Sequence, residues 1–472
     1  MSRRSLLLLP ALLLGGCAVG PGYHRPDVGA PAATRGQAAP ESASLADLGW
    51  WELYRDPALD ALVRAALADG FDARIAAARV QQARALALEA RGPLFPGLGY
   101  AGNADRGRNT ILGNPSPSGT GATGNGFDGY LAATWELDLW GRVRRLDEAA
   151  RDQYLESAQA QRGVWLSLVA ETASDYFQLL ELDEELAVTR DASQAFGESL
   201  RLFNQRLKGG IASRLETASA QAAQASEAAQ VPLVERAIAA QENELSVLLG
   251  RNPGPIERGA ALSAHAAPPA VPAGLPSELL ERRPDVKAAE YAAMATNAQI
   301  GATIGSFLPR IGLSALFGGV SPRLQDITSR RAEVWNVGAQ VTGPIFQAGT
   351  LRGEYLQAKA AWELAKLRYE QTALGAFADV ANALVSRQKL EQSRLEQERE
   401  VAAYQEAVKV ATERYKAGEA SYYELLQAQE QLFPAELTLA RTRRDELISV
   451  VDLYKALGGG WNLKDAAAWS GR

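Results

Sequence analysis

Hydrophobic and polar residues alternate strictly from Tyr130 to Leu139. Leu131, Ala133, Trp135, Leu137 and Leu139 fall on one side, and Tyr130, Ala132, Thr134, Glu136 and Asp138 on the other. A period of two predicts a strand with one face toward water and the other toward something apolar. The pattern returns from Trp335 to Ile345. There Trp335, Val337, Ala339, Val341 and Ile345 oppose Asn336, Gly338, Gln340 and Thr342. Ile311, Leu313, Ala315 and Phe317 alternate in turn with Arg310, Gly312, Ser314 and Leu316, and a weaker stretch holds Leu98 and Tyr100. The chain thus predicts four strands, at about 94–106, 129–140, 308–318 and 333–345, with Leu137 near the middle of the second.

Between these strands the period changes. Leu166, Val169, Ala173, Tyr176 and Leu180 recur at 3-4-3-4 spacing, as do Val401, Tyr404, Val408, Ala411 and Tyr415. That spacing is the seam of packed helices. No proline interrupts Arg142–Leu207 or Leu351–Lys416, and each run of about 66 residues would span roughly 100 Å as a helix. Lys208-Gly209-Gly210 and Ala417-Gly418 break the runs. Returning helices are predicted over 213–249, with a kink or register change at Pro232, and over 421–457, with Leu425, Leu432 and Leu439 seven apart. A first helix is predicted over 59–90, and Arg283 to about Ile304 reads as another. The glycine-rich stretch 107–126 and the polar stretch 318–332 read as loops.

The two halves say the same thing. Arg206-Leu207-Lys208-Gly209-Gly210-Ile211-Ala212-Ser213 aligns with Arg414-Tyr415-Lys416-Ala417-Gly418-Glu419-Ala420-Ser421 without a gap, the mark of an internal duplication. The organisation read from the chain is a leader at 1–16 and an extended tether at 17–48. A first repeat at 49–250 then precedes a proline-rich connector at 251–276, a second repeat at 277–460 and a tail at 461–472.

Composition narrows the function. The net charge of −6, with Lys and Arg dispersed, gives no reason to expect nucleic acid. Arg3 and Arg4 precede a short apolar core, Leu6–Leu14, and then Gly15-Gly16-Cys17, a cleaved export signal too short to span a bilayer. Cys17 is the only cysteine, so an internal disulfide is excluded. Catalysis has little footing. His24 lies in the tether and His265 in the connector, where neither is expected on a framework that orients a base or a metal. Met1 and Met294 are the only methionines, which excludes a methionine path for soft metals. Glu136 and Asp138 share the polar side of a strand, and a wetted lumen explains them better than paired-acid chemistry. No cofactor is expected.

Four amphipathic strands cannot close a barrel, and open edges are costly in a membrane. A symmetric oligomer resolves this: three chains give twelve strands, with helical hairpins forming a tube beneath. The fold class is therefore α+β, a trimeric twelve-stranded transmembrane barrel continued by a long coiled-coil tunnel. On this reading Thr134, Glu136, Asp138, Arg310, Asn336, Gln340 and Thr342 face the lumen. The hairpin turns converge as an aperture at the far end. Its candidates are Arg206, Lys208, Gly209, Gly210 and Arg214 in one turn, and Arg414, Lys416, Gly418, Glu419, Ser421 and Glu424 in the other. Ion pairs are expected across the two turns.

Several strings carry a family resemblance: Trp135-Glu136-Leu137-Asp138-Leu139-Trp140-Gly141, Val231-Pro232-Leu233-Val234-Glu235, Leu279-Leu280-Glu281-Arg282-Arg283-Pro284-Asp285-Val286, Gly343-Pro344-Ile345-Phe346-Gln347-Ala348-Gly349 and Arg414-Tyr415-Lys416-Ala417-Gly418. In order, they resemble the lipoprotein branch of outer-membrane channels that serve resistance-nodulation-division efflux pumps. The resemblance implies a homotrimer in the outer membrane of a Gram-negative bacterium, its helices in the periplasm, with lipid on Cys17. It also implies a periplasmic adaptor and an inner-membrane pump as partners, and export of small hydrophobic or amphiphilic compounds. Relatives carry an acid shortly after the second turn's glycine; here Glu419 or the aromatics Tyr422 and Tyr423 take that place. A secretion channel for another substrate class and a non-conducting periplasmic scaffold are the alternatives.

Overall fold

The computed structural model describes residues 18–36, 49, 54–108, 110–111, 114–115, 123–210, 213–265 and 276–459. Cys17, Ile211 and Ala212 lie outside them. The chain divides into two compact units. The first comprises Met1–Asp27, Arg79–Ala158 and Ala288–Glu370, and the second Val28–Ala78, Gln159–Lys287 and Gln371–Arg472.

The helices run as α1 (Pro57–Asp69), α2 (Phe71–Arg91), α3 (Arg142–Lys208), α4 (Arg214–Leu248), α5 (Pro276–Arg282), α6 (Pro284–Gly305), α7 (Thr350–Ala417) and α8 (Tyr422–Ala456). The single helix expected over 59–90 is two. Gly70 leaves the helical region at ψ 135, and its N–H closes α1 onto Ala66 O. A Cβ there would sit 2.3 Å from Ala66 O, so only glycine makes this break. Asp56 caps the other end of α1, accepting from Ala58 N at 2.8 Å, with Pro57 at the first helical position.

The main sheet lies in the first unit. Its strands are β1 (Gly97–Arg108), β2 (Thr123–Leu137), β3 (Arg310–Ser321) and β4 (Glu333–Thr342), antiparallel in that order, so β1 and β4 are the edges. The boundaries differ from the sequence reading for physical reasons. Gly92–Leu94 makes a tight turn, which delays β1. β2 begins in the glycine-rich stretch because Thr123–Asp128 pair with Asn103–Arg108. It ends at Leu137 because Gly141, at φ +76, turns the chain into α3. Pro344, which has no N–H to give a ladder, follows the end of β4 and leaves Ile345 outside it. A small ribbon, Thr110–Ile111 with Asn114–Pro115, occupies part of the expected loop.

The repetition is conformational as well as textual. α3 and α7 hold 67 and 68 residues, and α4 and α8 hold 35 each. Glycines at equivalent places share the left-handed conformation: Gly141 and Gly349 (φ +76, +92), Gly210 and Gly418 (+72, +80), Gly250 and Gly458 (+73, +72). Both return helices run unbroken through their prolines, Pro232 and Pro434. In the second unit each return helix ends against the break between two short helices. A Cβ on Gly250 would strike Asp69 O at 2.3 Å, and one on Gly458 would lie 3.1 Å from Arg283 Cα.

The large core belongs to the second unit. The seam Leu166, Val169, Ala173, Tyr176 and Leu180 is buried throughout, against Leu59, Leu62 and Val63 of α1 and Leu447, Val450 and Leu453 of α8. Tyr54 stands edge-on to Phe177 at 4.8 Å and donates its hydroxyl to Leu447 O. Each large apolar side chain so covered contributes about 1.5–3 kcal/mol. Leu425, Leu432 and Leu439 are buried as their spacing implies. In the first unit the stretch after Cys17, expected to be a loose tether, is extended but packed, with Arg25 forked onto Glu290.

Candidate pore-lining face and hairpin tips

Antiparallel register decides which side chains share a face. Tyr100, Leu131, Phe317 and Trp335 form one row across the sheet, and Leu98, Ala133, Ala315 and Val337 the next. Trp135, Leu313 and Ala339 follow, then Leu137, Ile311 and Val341. The result is a continuous apolar face, with Tyr100 89% and Trp335 71% exposed in the single chain. Leu137 pairs with Ile311 next to the foot of β3, so it sits on a terminal rung and not mid-strand.

On the opposite face Thr134 pairs with Gly97 and Ser314, Glu136 with Gly312, and Arg310 with Thr342. Gly312 in turn pairs with Gln340, and Leu316 with Asn336. Thr134, Glu136, Arg310, Gln340 and Thr342 line one concavity of about 810 Å³; Asn336 and Asp138 are not among its lining. Glu136 is held there by Arg142, the first residue of α3, through a fork of 3.2 and 2.8 Å. Asp138 departs from the lumen expectation. It lies beyond β2, and its carboxylate caps α3 by accepting from Val143 N at 3.1 Å and Arg144 N at 2.9 Å. An acid at a helix start satisfies free N–H groups and opposes the helix dipole.

The tips of both hairpins meet in the second unit around a small cluster: Phe203, Ala220, Tyr415, Tyr422 and Leu425. Phe203 and Tyr422 stand edge-on at 4.2 Å. Arg206 crosses from one hairpin to the other, donating from Nη1 to the Tyr415 hydroxyl at 2.8 Å with its guanidinium carbon 4.5 Å above that ring. The expected ion pairing across the turns gives way to this aromatic contact. Arg414 pairs instead within its own hairpin, with Glu424 at 3.3 Å. Between hairpins, ion pairs lie farther along the helices, Arg443 with Glu184 at 3.3 Å and Arg444 with Glu181 at 3.2 Å. Lys208, Arg214, Lys416, Glu419 and Ser421 are exposed. Gly209 N donates to Gln205 O, and Gly210 N and Gly418 N each close a turn at positive φ. Ser213 and Glu216 form a reciprocal capping box, which Ser421 does not repeat.

Two constellations had no sequence signal strong enough to find them. The His265 side chain is buried and oriented, contrary to the expectation for the connector. Its Nε2 is 3.0 Å from Asp56 Oδ2, its Nδ1 is 3.0 Å from Ala261 O, and the Tyr176 hydroxyl donates to the same Asp56 oxygen at 2.8 Å. Burial would raise the Asp56 carboxyl, but hydrogen bonds from Tyr176, His265 and two helix N–H groups overcome it and hold it below the usual value. Arg283 is likewise buried, forked onto Asp285 at 3.0 and 2.7 Å, paired with Asp379 at 3.0 Å, and donating to Ala456 O at the end of α8. The ERRPDV string is thus a clasp between the start of the second repeat and its end.

A short sheet with one apolar and one polar face, joined to two long helical hairpins, defines the subunit of an outer-membrane channel. The chain belongs to the outer membrane efflux protein family, which it matches over residues 62–251 and again over 275–459. It is 35% identical to the solvent efflux pump outer membrane protein SrpC of Pseudomonas putida, across 98% of this chain and 99% of that one. It is 34% identical to the antibiotic efflux pump outer membrane protein ArpC of the same species, across 96% and 95%. Among solved structures it resembles the open state of the Neisseria gonorrhoeae MtrE outer membrane channel, with a TM-score of 0.85, 30% identity, and 94% and 98% of the two chains covered.

Proposed function

We propose that this protein is the outer-membrane exit duct of a tripartite efflux system. Three copies close a twelve-stranded barrel and conduct small hydrophobic or amphiphilic compounds passively. The observation that carries this reading is the register of the sheet, which sorts apolar and polar side chains onto opposite faces across all four strands. A four-stranded sheet in lipid would leave the edges of β1 and β4 unpaired, and eight strands is the smallest closed barrel. Conduction asks for a wetted wall and no reacting group, so the side chains at the concavity serve as lumen lining and not as catalysts.

The partners of this duct are a periplasmic adaptor and an inner-membrane resistance-nodulation-division pump, engaged at the far end of the helices. Cys17 carries the lipid anchor, and the turn residues of both hairpins form the aperture. The named relatives' solvent and antibiotic pumps support the substrate class. Native mass measurement in detergent tests the closure, with a trimer expected; a stable monomer or dimer overturns it. Reconstitution in planar bilayers tests the duct, with stepwise conductance expected. A trimer that inserts but never conducts favours a scaffold.

A further inference from the structure

The two strand-to-helix corners are equivalent in the repeats but not in their surroundings. Gly141 and Gly349 both take positive φ, +76 and +92. Among the described residues nothing lies within 4 Å of a Cβ built on Gly349, whereas one on Gly141 would sit 2.6 Å from Ala18 Cα. The first corner is occupied by the stretch that begins one peptide bond after Cys17.

That stretch is held by hydrogen bonds at Val19, Pro21 and Arg25 and by close packing at Gly20. Val19 N donates to Trp140 O at 3.0 Å. Arg145 Nε donates to Val19 O at 3.2 Å, and its Nη2 reaches Pro21 O at 3.5 Å. Asn297 Nδ2 also donates to Pro21 O, at 3.1 Å. Gly20, at φ +110, lies directly on Gly301 of α6. A Cβ on Gly20 would be 2.4 Å from Gly301 Cα, and a Cβ on Gly301 would be 2.7 Å from Val19 O. Arg25 closes the run on Glu290, with bonds of 2.5 and 2.8 Å to a side chain only 9% exposed. Two facing glycines let two backbones touch, and the charged fork fixes the register.

We propose that Ala18–Arg25 is a strap that fastens the acylated end of the chain to the first strand-to-helix corner, so that anchor and sheet enter the bilayer as one piece. The proposal rests on the acylation of Cys17 put forward above. A slack linker would let the acyl chains insert wherever they reached, because a flexible connection spreads its end over a volume that grows with its length. A strap bonded at Val19 and seated at Gly20 removes that freedom. Gly301, Gly141, Asn297, Arg145 and Glu290 are then positioning residues for the anchor.

Hydrogen exchange at the Val19 amide of the full-length protein in detergent reads the strap directly, since that N–H donates to Trp140 O and a bonded amide exchanges only on opening. In the wild type the Val19 amide should exchange slowly. Gly301→Val, which removes the seat of Gly20, should speed it at least tenfold. Because that change could disturb α6, a second pair is decisive: Arg25→Glu should open the strap, and Arg25→Glu with Glu290→Arg should restore it. Cys17→Ser should leave exchange unchanged, because the strap's contacts involve no lipid. In Gly301→Val the acyl group should remain on Cys17 by mass spectrometry, while strands protected from protease in intact membranes fall at least threefold. Unchanged exchange in Gly301→Val overturns the strap, and fast exchange with full strand protection overturns its coupling to insertion. An unacylated wild-type Cys17 overturns the acylation reading and the anchoring role with it, and exchange, read separately, tells that failure from one of the strap.

Discussion

Arginine placed on the sheet works as a depth gauge. β3 holds 12 residues from Arg310 to Ser321, about 40 Å of strand at 3.3–3.4 Å per residue. At a tilt near 40° this rises about 30 Å, slightly more than the roughly 25 Å apolar band of an outer-membrane barrel. Ala315 lies about five residues above the foot, roughly 13 Å up, close to the middle of that band. Its row neighbours are Ala133 and Val337, neither of which offers a guanidinium a partner. Ala315→Arg should therefore cost about 2–4 kcal/mol. Leu137, on the terminal rung with Ile311, should lose only about 0–1 kcal/mol on the same change, since the new charge reaches the interface. Ser314→Arg enters the polar concavity and should be tolerated as well as Leu137→Arg. Urea unfolding of the reconstituted protein measures all three, and 2–4 kcal/mol is about a 30- to 1000-fold change in the unfolding constant. Equal losses at Ala315 and Ser314 would refute the assignment of faces; equal losses at Ala315 and Leu137 would refute the depth scale.

Other outcomes follow from the tips and the buried network. Tyr415→Phe removes the hydrogen bond from Arg206 but keeps the stacked ring, whereas Tyr415→Ala removes both. Single-channel recordings should show more open time in the alanine variant than in the phenylalanine one, and identical records would exclude this contact as a restraint on the aperture. Asp56→Asn keeps a capping oxygen, since Asn caps a helix about as well as Asp, but replaces the oxygen that accepts from Tyr176 and faces His265. It should lower stability at neutral pH by about 1–3 kcal/mol, the range for a buried polar group left unsatisfied. Because the folded carboxyl lies below its unfolded value, its contribution is present above about pH 4 and fades as pH falls through the folded pKa. Unfolding curves from pH 6 to pH 3 should thus slope more steeply for the wild type than for Asp56→Asn. Arg283→Ala strips Asp285, Asp379 and Ala456 O of one shared partner. Both carboxylates are about half-exposed, so the loss should be about 1–2 kcal/mol and not the 3–5 of a fully buried pair; hydrogen exchange at the end of α8 should report it.

What the sequence made legible was whatever repeats with a fixed period. The seam from Leu166 to Leu180 and the alternation from Leu131 to Leu137 each carry their own burial or pairing pattern, and the structure keeps both. Thr123–Asp128 was illegible because Gly124 and Gly126 carry no alternation; pairing with Asn103–Arg108 makes it a strand. Asp138 has the parity of a lumen residue, yet the turn at Gly141 converts it into a helix cap. His265 was misjudged because its partner, Asp56, is 209 positions away. A proline-rich neighbourhood gives no hint of so distant a carboxylate. At the tips, charges were easy to see in the sequence, while the Phe203–Tyr422 contact needed both hairpins in space.

The nearly equal lengths of the two hairpins constrain how this chain can change over time. Phe203 meets Tyr422, and Arg206 meets Tyr415, only because α3 and α7 reach the same distance before turning. One heptad inserted into α3 and α4 alone would push that turn about 10 Å past its counterpart and separate every pair in the cluster. A shift of one or two residues would also rotate the seam away from its partner, by about 100° per residue. Insertions and deletions here are therefore tolerated only as whole turns and in all four helices together. A gene that arose by doubling itself remains bound, in length, to both halves at once.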